Sequence, residues 1–516
     1  MSNGGFSRAT RKEWLGLFVI ALPCLLYSMD LTVLFLAVPS LSADLNPSST
    51  QLLWITDIYG FLVAGSLITM GTLGDRIGRR KLLLVGAAFF GVASVLAAFS
   101  TSANMLIATR ALLGVAGATV APSTLSLIRN MFPDPQQRTT AIAIWLTSYS
   151  VGAVIGPLLG GVLLQYFWWG SVFLLAVPVM ILVLIAGPIL LPEYRDPNAG
   201  RLDVLSAGLS LTAVLAVIYG LKRIAADGFG WLPIAIIVSG LVVGYVFVRR
   251  QQRLADPLID MRLFREPGFS AALATYMISV FVVFGMSLLT AQYLQLVLGL
   301  SPMVAGLWTL PGAVGFIVGS LSAPLMVRKV RAPTLMGGCL VAAALGFVLL
   351  TQVHPGSSGG GLAMLVTGQV ILSIAVAPVV TLATDLVVGS APAEKAGAAS
   401  AISETSAEFG GAVSIALIGS IATAVYRRAM AHMNADGIAP DVAESARSTL
   451  GGAVAAAEQL AGGQGARLLS SARDAFTDAL QLTASINVVL SLAAAVMAAV
   501  LLRKVAAGGS HGQVQA

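Results

Sequence analysis

Four carboxylates lie inside stretches of the sequence that are otherwise apolar enough to cross a bilayer. They are Asp30, Asp57, Glu404 and Glu408. An ionised side chain at the centre of a membrane span costs roughly 2.5–3.5 kcal/mol or more, so such residues are rare unless they serve a charged ligand or a proton. The sequence therefore predicts a site for protons or cations within the membrane.

The composition excludes a soluble globular protein. Hydrophobic residues make up 57% of the 516 residues and charged residues only 10%, whereas a soluble domain carries about 25% charged residues. The net charge of +7 comes from short loops between apolar runs, where Lys and Arg indicate membrane topology. We therefore expect an integral membrane protein, without a nucleic-acid partner.

The apolar runs predict fourteen membrane-spanning helices. A span needs about 20 residues to cross ~30 Å of hydrocarbon. An even number of spans places both termini on one side, and most of the 30 Lys and Arg residues fall on that side. The excess of positive charge on cytoplasmic loops then predicts a multi-pass protein of the plasma (inner) membrane with both termini in the cytoplasm.

Two longer connections divide these spans. The predicted units are an N-terminal six-helix bundle at 1–200, two inserted helices at 201–250, a cytoplasmic connector at 251–268, a C-terminal six-helix bundle at 269–503 and a tail at 504–516. Within the last bundle, the extracytoplasmic loop 427–479 mixes charged and Ala-rich segments. It could form a helical hairpin over the outer mouth or a solvated linker.

The cysteines support neither a disulfide framework nor a thiolate metal site, and no histidine is placed to relay protons within the membrane. Cys24 and Cys339 both lie in apolar segments, and His354, His432 and His511 lie in loops or the tail. The sequence contains no phosphate-binding loop motif, so we expect the proton gradient rather than ATP to supply energy.

The segment GTLGDRIGRRKLLL at 71–84 resembles the signature loop of the major facilitator superfamily. Its motif residues are Gly74, Asp75, Arg76, Gly78, Arg79 and Arg80. The resemblance implies that Asp75 accepts from a basic residue or a helix N-terminus, and that the arginines reach across the cytoplasmic face to hold the outward-open state. A charged turn that only fixes topology is the alternative.

Five further segments sharpen this resemblance. They are MDLTVLFLAVPSL at 29–41, WITDIYGF at 54–61, LIATRALLGVAGA at 106–118, VGAVIGPLLGGVLL at 151–164 and AISETSAEFGGAVS at 401–414. They look like signatures of the fourteen-span drug:proton antiporters, in particular the quaternary-ammonium efflux pumps of the QacA type. The resemblance implies an all-α fold of fourteen transmembrane helices, with two six-helix bundles and two inserted helices.

The antiporter motif in the fifth span also has a physical interpretation. Its residues are Gly152, Gly156, Pro157, Gly160 and Gly161. Glycines at every fourth position leave one helix face without side chains, where another helix can approach closely, and Pro157 loosens the backbone. Helix packing and gating explain this face equally well.

Arg110 predicts an ion pair within the first bundle. The helix rise places Asp30, Asp57 and Arg110 at similar depths in their spans. Because an unpaired arginine there would be very costly, we expect Arg110 to pair with one of these aspartates. We predict that Asp30 is the main proton-coupling and cation-binding carboxylate and that Asp57 is its electrostatic partner; a static structural pair is the alternative.

Glu404 and Glu408 lie one helical turn apart, near the middle of the thirteenth span. Two neighbouring carboxylates do not easily both ionise at low dielectric, so this pair is a second candidate proton site or the countercharge for a cationic drug. Glu408 could instead face a solvated vestibule.

An apolar cation also needs an aromatic pocket, in which a cation over a ring face gains about 0.5–2 kcal/mol. The candidates are Tyr27, Tyr59, Trp145, Tyr276, Phe284, Tyr293 and Trp308, although each could face lipid or pack in the core. We expect Trp168 and Trp169, at the end of the fifth span, to anchor the protein at the membrane interface.

These patterns together predict a secondary transporter rather than an enzyme. It would export lipophilic cations in exchange for protons, as a monomer that contacts membrane lipids and needs no cofactor. Export of a lipid or an endogenous metabolite is the alternative, and a transport-inactive scaffold or sensor is a third possibility from another class of protein.

Overall fold

The computed structural model describes residues 8–45, 47, 49–195, 203–227, 230–254, 257–300, 302–354, 360–392, 395–431, 440–460 and 463–508. These residues form helices and contain no strand, so the predicted all-α fold is confirmed. The first helices are α1 Arg11–Leu45, α2 Ser49–Ile77, α3 Arg79–Ala98, α4 Ala103–Gly117, α5 Val120–Met131, α6 Pro135–Tyr166, α7 Ser171–Leu174 and α8 Ala176–Leu190. They are followed by α9 Val204–Asp227, α10 Trp231–Gln251, α11 Pro267–Gln292, α12 Pro302–Met326, α13 Ala332–Leu350, α14 Gly360–Ser390, α15 Ala396–Met430, α16 Pro440–Ser448, α17 Leu450–Gln459 and α18 Gly463–Gly508.

Fourteen segments among the described residues are long and apolar enough to span a membrane, as the sequence predicts. Helices α4 and α5 together form one of these spans, and α7 and α8 form another. Helices α16 and α17 are too short to be spans. We call the end of the bundle at which α1 begins the inner end, and the opposite end the outer end.

The helices pack into two groups joined by a seam. In the first group α1 packs on α6, and α3 packs on α4 and α8; in the second, α14 packs on α12 and α13, and α11 packs on α15. The groups meet where α2 contacts α15 and where α6 contacts α12. Helices α9 and α10 pack on each other, and α9 also covers the seam between α2 and α15. The domain boundaries themselves remain a prediction.

The glycine motif of α6 packs against α1. A Cβ atom at Gly152 would overlap the backbone oxygen of Leu25, and one at Gly160 would lie 2.9 Å from a methyl carbon of Val33. Gly161 faces open space instead. Gly156 is buried in the same helix, while the side chain of Pro157 lies outside the described residues. Close helix packing therefore accounts for two of the five motif positions.

The described parts of the outer loop 427–479 are helical. Of the two alternatives, the structure therefore shows a helical hairpin rather than a solvated linker. Helices α16 and α17 form the hairpin, and α18 begins at Gly463, well before the expected start of the last span. Tyr426 donates a hydrogen bond from its hydroxyl to the backbone oxygen of Ala446, at 2.8 Å. Buried alanines, including Ala453, pack the hairpin onto the helices below.

Two expectations about local structure are wrong. The signature segment is almost entirely helical, because α2 continues to Ile77 and α3 begins at Arg79; Gly78 alone interrupts them, at a φ of 108° that favours glycine. Trp169 is not an interface anchor, since only 6% of it is exposed and its indole N–H donates to Asp44 Oδ2 at 2.7 Å. Trp168 is exposed.

Candidate transport site

Asp75 joins the two groups of helices at the inner end. Its carboxylate accepts hydrogen bonds from Arg79 Nη2 at 2.7 Å and from the backbone N–H groups of Gly397 and Ala398, at 3.1 and 3.0 Å. The first N–H groups of a helix have no partner within the helix and carry partial positive charge, so an anion there is stabilised. The expected acceptor role of Asp75 is confirmed, with both kinds of donor present.

Two arginines of the motif, Arg79 and Arg80, make contacts within the first group of helices. Arg80 donates to the backbone oxygen of Leu191 at 3.0 Å and pairs with Glu193 at 3.5 Å. The guanidinium of Arg79 lies 5.1 Å from the ring centre of Tyr194. These contacts stay within the first group of helices, whereas the hydrogen bonds of Asp75 reach the second group. Gly74 is buried in α2, and Arg76 is half-buried in its last turn.

A second contact joins the groups at the inner end. Arg138 donates from Nε to Asp385 Oδ1 at 2.5 Å, and Thr139 donates to Asp385 Oδ2 at 2.6 Å. One turn further along α6, Ala143 accepts a hydrogen bond from Ser320 of α12 at 3.3 Å. No pattern in the sequence distinguishes Arg138, because an arginine at the start of a span looks like a residue that only sets topology. These contacts join the two groups of helices at the inner end.

The connector before α11 is also fixed near this end. Asp260 accepts from Lys395 Nζ at 3.1 Å, just before α15, and from Arg262. Partial burial acts to raise the pKa of Asp260, but the hydrogen bonds from Arg262 and Lys395 outweigh it and hold this pKa below its ordinary value. The carboxylate therefore stays ionised and holds the connector beside the start of α15.

Arg110 and Asp30 form the ion pair that the sequence predicts. The Arg110 side chain is 1% exposed and donates from Nη1 to Asp30 Oδ2 at 3.0 Å. Its Nε also donates to the backbone oxygen of Ile55 at 2.8 Å, and its guanidinium lies 5.0 Å from the ring centre of Tyr59. The side chain of Asp57 lies outside the described residues. Of the two candidate partners, Asp30 is the one seen to hold Arg110.

A central cavity of about 230 Å³ lies between the two groups of helices. Glu404 and Glu408 both line it, with helices α1, α2, α4, α5 and α6 on one side and α11, α12, α14 and α15 on the other. None of the described lining residues is Lys or Arg. Glu404 is half-buried, and its Oε1 is enclosed without a hydrogen-bond partner among the described residues. Among its described lining residues, the cavity thus carries acidic groups and no basic group.

Aromatic rings supply much of the remaining wall. The predicted residues that line the cavity are Tyr27, Trp145, Tyr276 and Phe284. Tyr149 and Phe316 line it as well, and the sequence analysis missed both. Tyr149 could have been found, because it follows Trp145 by one helical turn and shares its face. The ring centres of these two residues are 4.9 Å apart.

Three predicted aromatic residues and Asp30 lie elsewhere. Tyr59 is fully buried under Arg110, and Tyr293 is fully buried in a π-helical turn, residues 293–297, that follows α11. Trp308 lines a separate cavity. Asp30 lines a narrow pocket between α1, α3, α7 and α8 instead of the central cavity. The two candidate proton sites are therefore in different compartments.

The described residues contain no group of three His, Cys, Asp or Glu side chains that could hold a metal ion. Cys24 and Cys339 are buried free cysteines.

Membrane-spanning helices in two groups around a central cavity define a membrane transporter. The chain belongs to the Major Facilitator Superfamily, whose family model matches residues 20–415. It is 43% identical over 501 residues to the multidrug efflux pump LfrA of Mycolicibacterium smegmatis, covering 96% of this chain and 98% of that protein. It is 35% identical over 473 residues to the methyl viologen resistance protein SmvA of Salmonella typhimurium, covering 90% and 93%.

The fold is also similar to that of a solved transporter. The crystal structure of the human organic anion transporter MFSD10 (TETRAN) matches with a TM-score of 0.58 and 16% sequence identity, covering 93% of this chain and 99% of that one. At this identity the likeness concerns the fold alone.

Proposed function

We propose that this chain is a proton-coupled multidrug efflux antiporter that exports lipophilic cations, such as quaternary ammonium biocides and cationic dyes. The observation that carries the proposal is the central cavity, which has two carboxylates, six aromatic side chains and no basic side chain among its described lining residues. Countercharge and ring faces are what a desolvated organic cation needs. The resemblance to LfrA and SmvA supports drug efflux.

Glu404 and Glu408 would bind the cation in this mechanism. An ionised carboxylate in the cavity attracts a cation, and a protonated one does not, so protons and cargo compete for the same groups. Cargo would enter from the cytoplasm or the inner leaflet and leave outward when protons arrive from outside. The two groups of helices would rock around the cavity, and the contacts of Asp75 and Asp385 would hold the inner end closed during release.

Asp30 would couple protons without touching the cargo. It is paired with Arg110 and lines the narrow pocket rather than the central cavity. Protonation of Asp30 would release Arg110, and a buried arginine that loses its partner must find another. In this mechanism Glu404 and Glu408 bind the cation. Asp30, which was predicted both to couple protons and to bind the cation, would only couple protons.

The remaining parts of the proposal follow from charge and composition. The protein would work as a monomer in the plasma (inner) membrane, with both termini in the cytoplasm, in contact with lipids. The proton gradient would be its energy source, and no cofactor, metal or nucleic acid would take part.

The test is ethidium efflux by the purified protein in proteoliposomes with an imposed pH gradient. Wild-type protein should export ethidium only while the gradient lasts, and Glu404→Gln should lower the rate at least about tenfold, the loss expected when one charge interaction worth about 1.4 kcal/mol or more is removed. Glu444→Gln, at an exposed acid of the outer hairpin, is the matched control and should pump normally.

Two results would contradict the proposal. Ethidium efflux that persists after the gradient collapses would exclude proton coupling. Absence of transport of ethidium and other lipophilic cations by well-folded wild-type protein would favour a lipid or metabolite exporter.

A further inference from the structure

A second cavity of about 230 Å³ lies within the second group of helices, between α11, α12 and α14. It is next to the central cavity, because Phe316 lines both. On α11, Val283 of the central cavity is followed one turn later by Ser287 of the second cavity; on α14, Val376 of the central cavity is preceded by Ser373 of the second. The second cavity therefore extends from the first towards the outer end.

Its polar lining is uncharged among the described residues. Ser287, Thr290, Thr309, Gln369 and Ser373 supply hydroxyl and amide groups. The Gln369 side chain donates from Nε2 to Thr290 Oγ1 at 2.7 Å, which fixes the plane of its amide. The amide oxygen and the second N–H of that group are then oriented for a ligand.

The hydroxyl groups are oriented too. Thr309 donates to the backbone oxygen of Gly306 at 2.7 Å, and Ser287 donates to that of Val283 at 2.9 Å. Since each hydroxyl proton is already used, these oxygens can only accept from a ligand. The wall thus offers acceptors at Thr309 and Ser287 and both a donor and an acceptor at Gln369.

Two aromatic side chains complete the cavity. Trp308 is 41% exposed and Phe316 is half-buried, and both line it. A cation would find ring faces here but no carboxylate, and burying an organic ion without a countercharge is costly. An uncharged aromatic group with hydrogen-bonding substituents would find a partner for each of its parts.

We propose that this second cavity is a distinct ligand subsite that takes uncharged aromatic molecules, or uncharged aromatic parts of larger molecules, that carry hydrogen-bonding substituents. It goes beyond the proposed function, which concerns cations held by Glu404 and Glu408. The protein would then have two chemically different subsites side by side, one acidic and one neutral, which share the Phe316 ring.

The experiment measures equilibrium binding of two probes to purified full-length protein by dialysis. Chloramphenicol is uncharged and carries an aromatic ring, an amide and hydroxyl groups; tetraphenylphosphonium is a cation without any hydrogen-bonding group. We expect both to bind wild-type protein, and each to bind in the presence of the other. Gln369→Leu should weaken chloramphenicol binding about tenfold, as expected for loss of hydrogen bonds to a ligand, and leave tetraphenylphosphonium affinity unchanged.

Three variants control this result. Ala313→Leu should fill the cavity and weaken chloramphenicol binding alone, because Ala313 lines the second cavity only. Gln352→Leu changes an exposed glutamine at the outer end of α13 and should alter neither affinity. Glu404→Gln should weaken only tetraphenylphosphonium. If Gln369→Leu misfolds and binds neither probe, the effect of Ala313→Leu on chloramphenicol binding in the same assay decides whether the second cavity binds this ligand.

The proposal fails if wild-type protein does not bind chloramphenicol, or if Gln369→Leu and Ala313→Leu both bind it with wild-type affinity. Competition between the two probes would also overturn it, since that places both ligands in one cavity. Failure of the proposed function has another signature, namely absent tetraphenylphosphonium binding with chloramphenicol binding retained.

Discussion

The carboxylate of Asp75, at the end of α2, accepts the backbone N–H of Gly397 in the first turn of α15, at 3.1 Å. Glu404, which lines the central cavity, lies two helical turns further along α15. One helix therefore carries both a contact that joins the two groups at the inner end and a carboxylate of the central cavity. A movement of α15 that breaks the hydrogen bond between Asp75 and Gly397 must also displace Glu404.

Asp75→Asn should open the inner end. The substitution removes the anion from the first turn of α15 and leaves Arg79 buried without its counterion, so the closed form should lose roughly 1–3 kcal/mol relative to the open form. Spin labels at the exposed positions Lys81 and Lys329 should then report a larger fraction of long distances between the inner ends of α3 and α12.

The control for this substitution is Asp134→Asn, at the N-cap of α6. Asp134 accepts from the backbone N–H of Gln136 at 2.7 Å, within one helix, and asparagine caps helices as well as aspartate does. This variant should keep the wild-type distances. An unchanged distance distribution in Asp75→Asn would mean that the contact does not hold the inner end closed.

Asp385→Asn should also shift the equilibrium between the closed and open forms of the inner end towards the open form. Arg138 would keep a neutral acceptor in place of a charged one, and hydrogen bonds to charged groups contribute about 1.5–3 kcal/mol. The spin-label distances used for Asp75 measure the effect. Asp474→Asn, at an exposed position of α18, should leave them unchanged, and a null effect of Asp385→Asn would leave Asp75 as the main closing contact.

Asp30→Asn should separate proton coupling from cargo binding. Because Asp30 is outside the central cavity, tetraphenylphosphonium should bind this variant with nearly wild-type affinity while efflux driven by a pH gradient is lost. Breaking a buried pair on one side costs about 3–5 kcal/mol, so the thermal stability should also fall.

The double variant Asp30→Asn with Arg110→Gln is the matched control for stability. It removes both charges and should recover most of the lost stability, but not transport. A large loss of tetraphenylphosphonium affinity in well-folded Asp30→Asn would show instead that Asp30 binds the cargo.

Tyr149→Ala should weaken cation binding. Its ring lines the central cavity beside Trp145, and a cation loses about 0.5–2 kcal/mol when a ring face is removed, which corresponds to roughly 2- to 30-fold in the dissociation constant of tetraphenylphosphonium. Tyr149→Phe keeps the ring and should bind normally, as should Tyr166→Ala, where the side chain is 71% exposed. If Tyr149→Phe and Tyr149→Ala lose the same amount of tetraphenylphosphonium affinity, the hydroxyl group of Tyr149 and not its ring contributes to binding.

Gly152→Val should destabilise the packing of α1 on α6. The new side chain would overlap the backbone oxygen of Leu25, and overpacking of this kind costs about 1–3 kcal/mol. A lower midpoint of thermal unfolding in detergent is expected. Gly161→Val adds the same β-branched residue to the same helix where nothing lies within 4 Å, and should change the midpoint much less. Equal shifts would attribute the effect to helix propensity alone.

Some of the candidate site could be predicted because its chemistry is conspicuous in the sequence. Asp30, Arg110, Glu404 and Glu408 are ionisable residues in apolar surroundings, and the pairing of Arg110 follows from the cost of burying a lone charge. The acceptor role of Asp75 was implied by the resemblance of its motif to the signature loop of the major facilitator superfamily. The Arg138–Asp385 contact had no such signal, because it joins residues far apart in sequence that are each ordinary at a span end.

The sequence by itself determined the class of fold and the number of spans, because a helix that crosses hydrocarbon must carry about 20 apolar residues and this length is visible without any tertiary information. Only the tertiary structure decided that Asp30 and Glu404 lie in separate compartments, that Tyr59 is buried under Arg110 and that Tyr149 lines the cavity. In helices that are apolar on every side, no periodicity marks the face that meets the cavity. That face is set by contacts with helices that are distant in the chain.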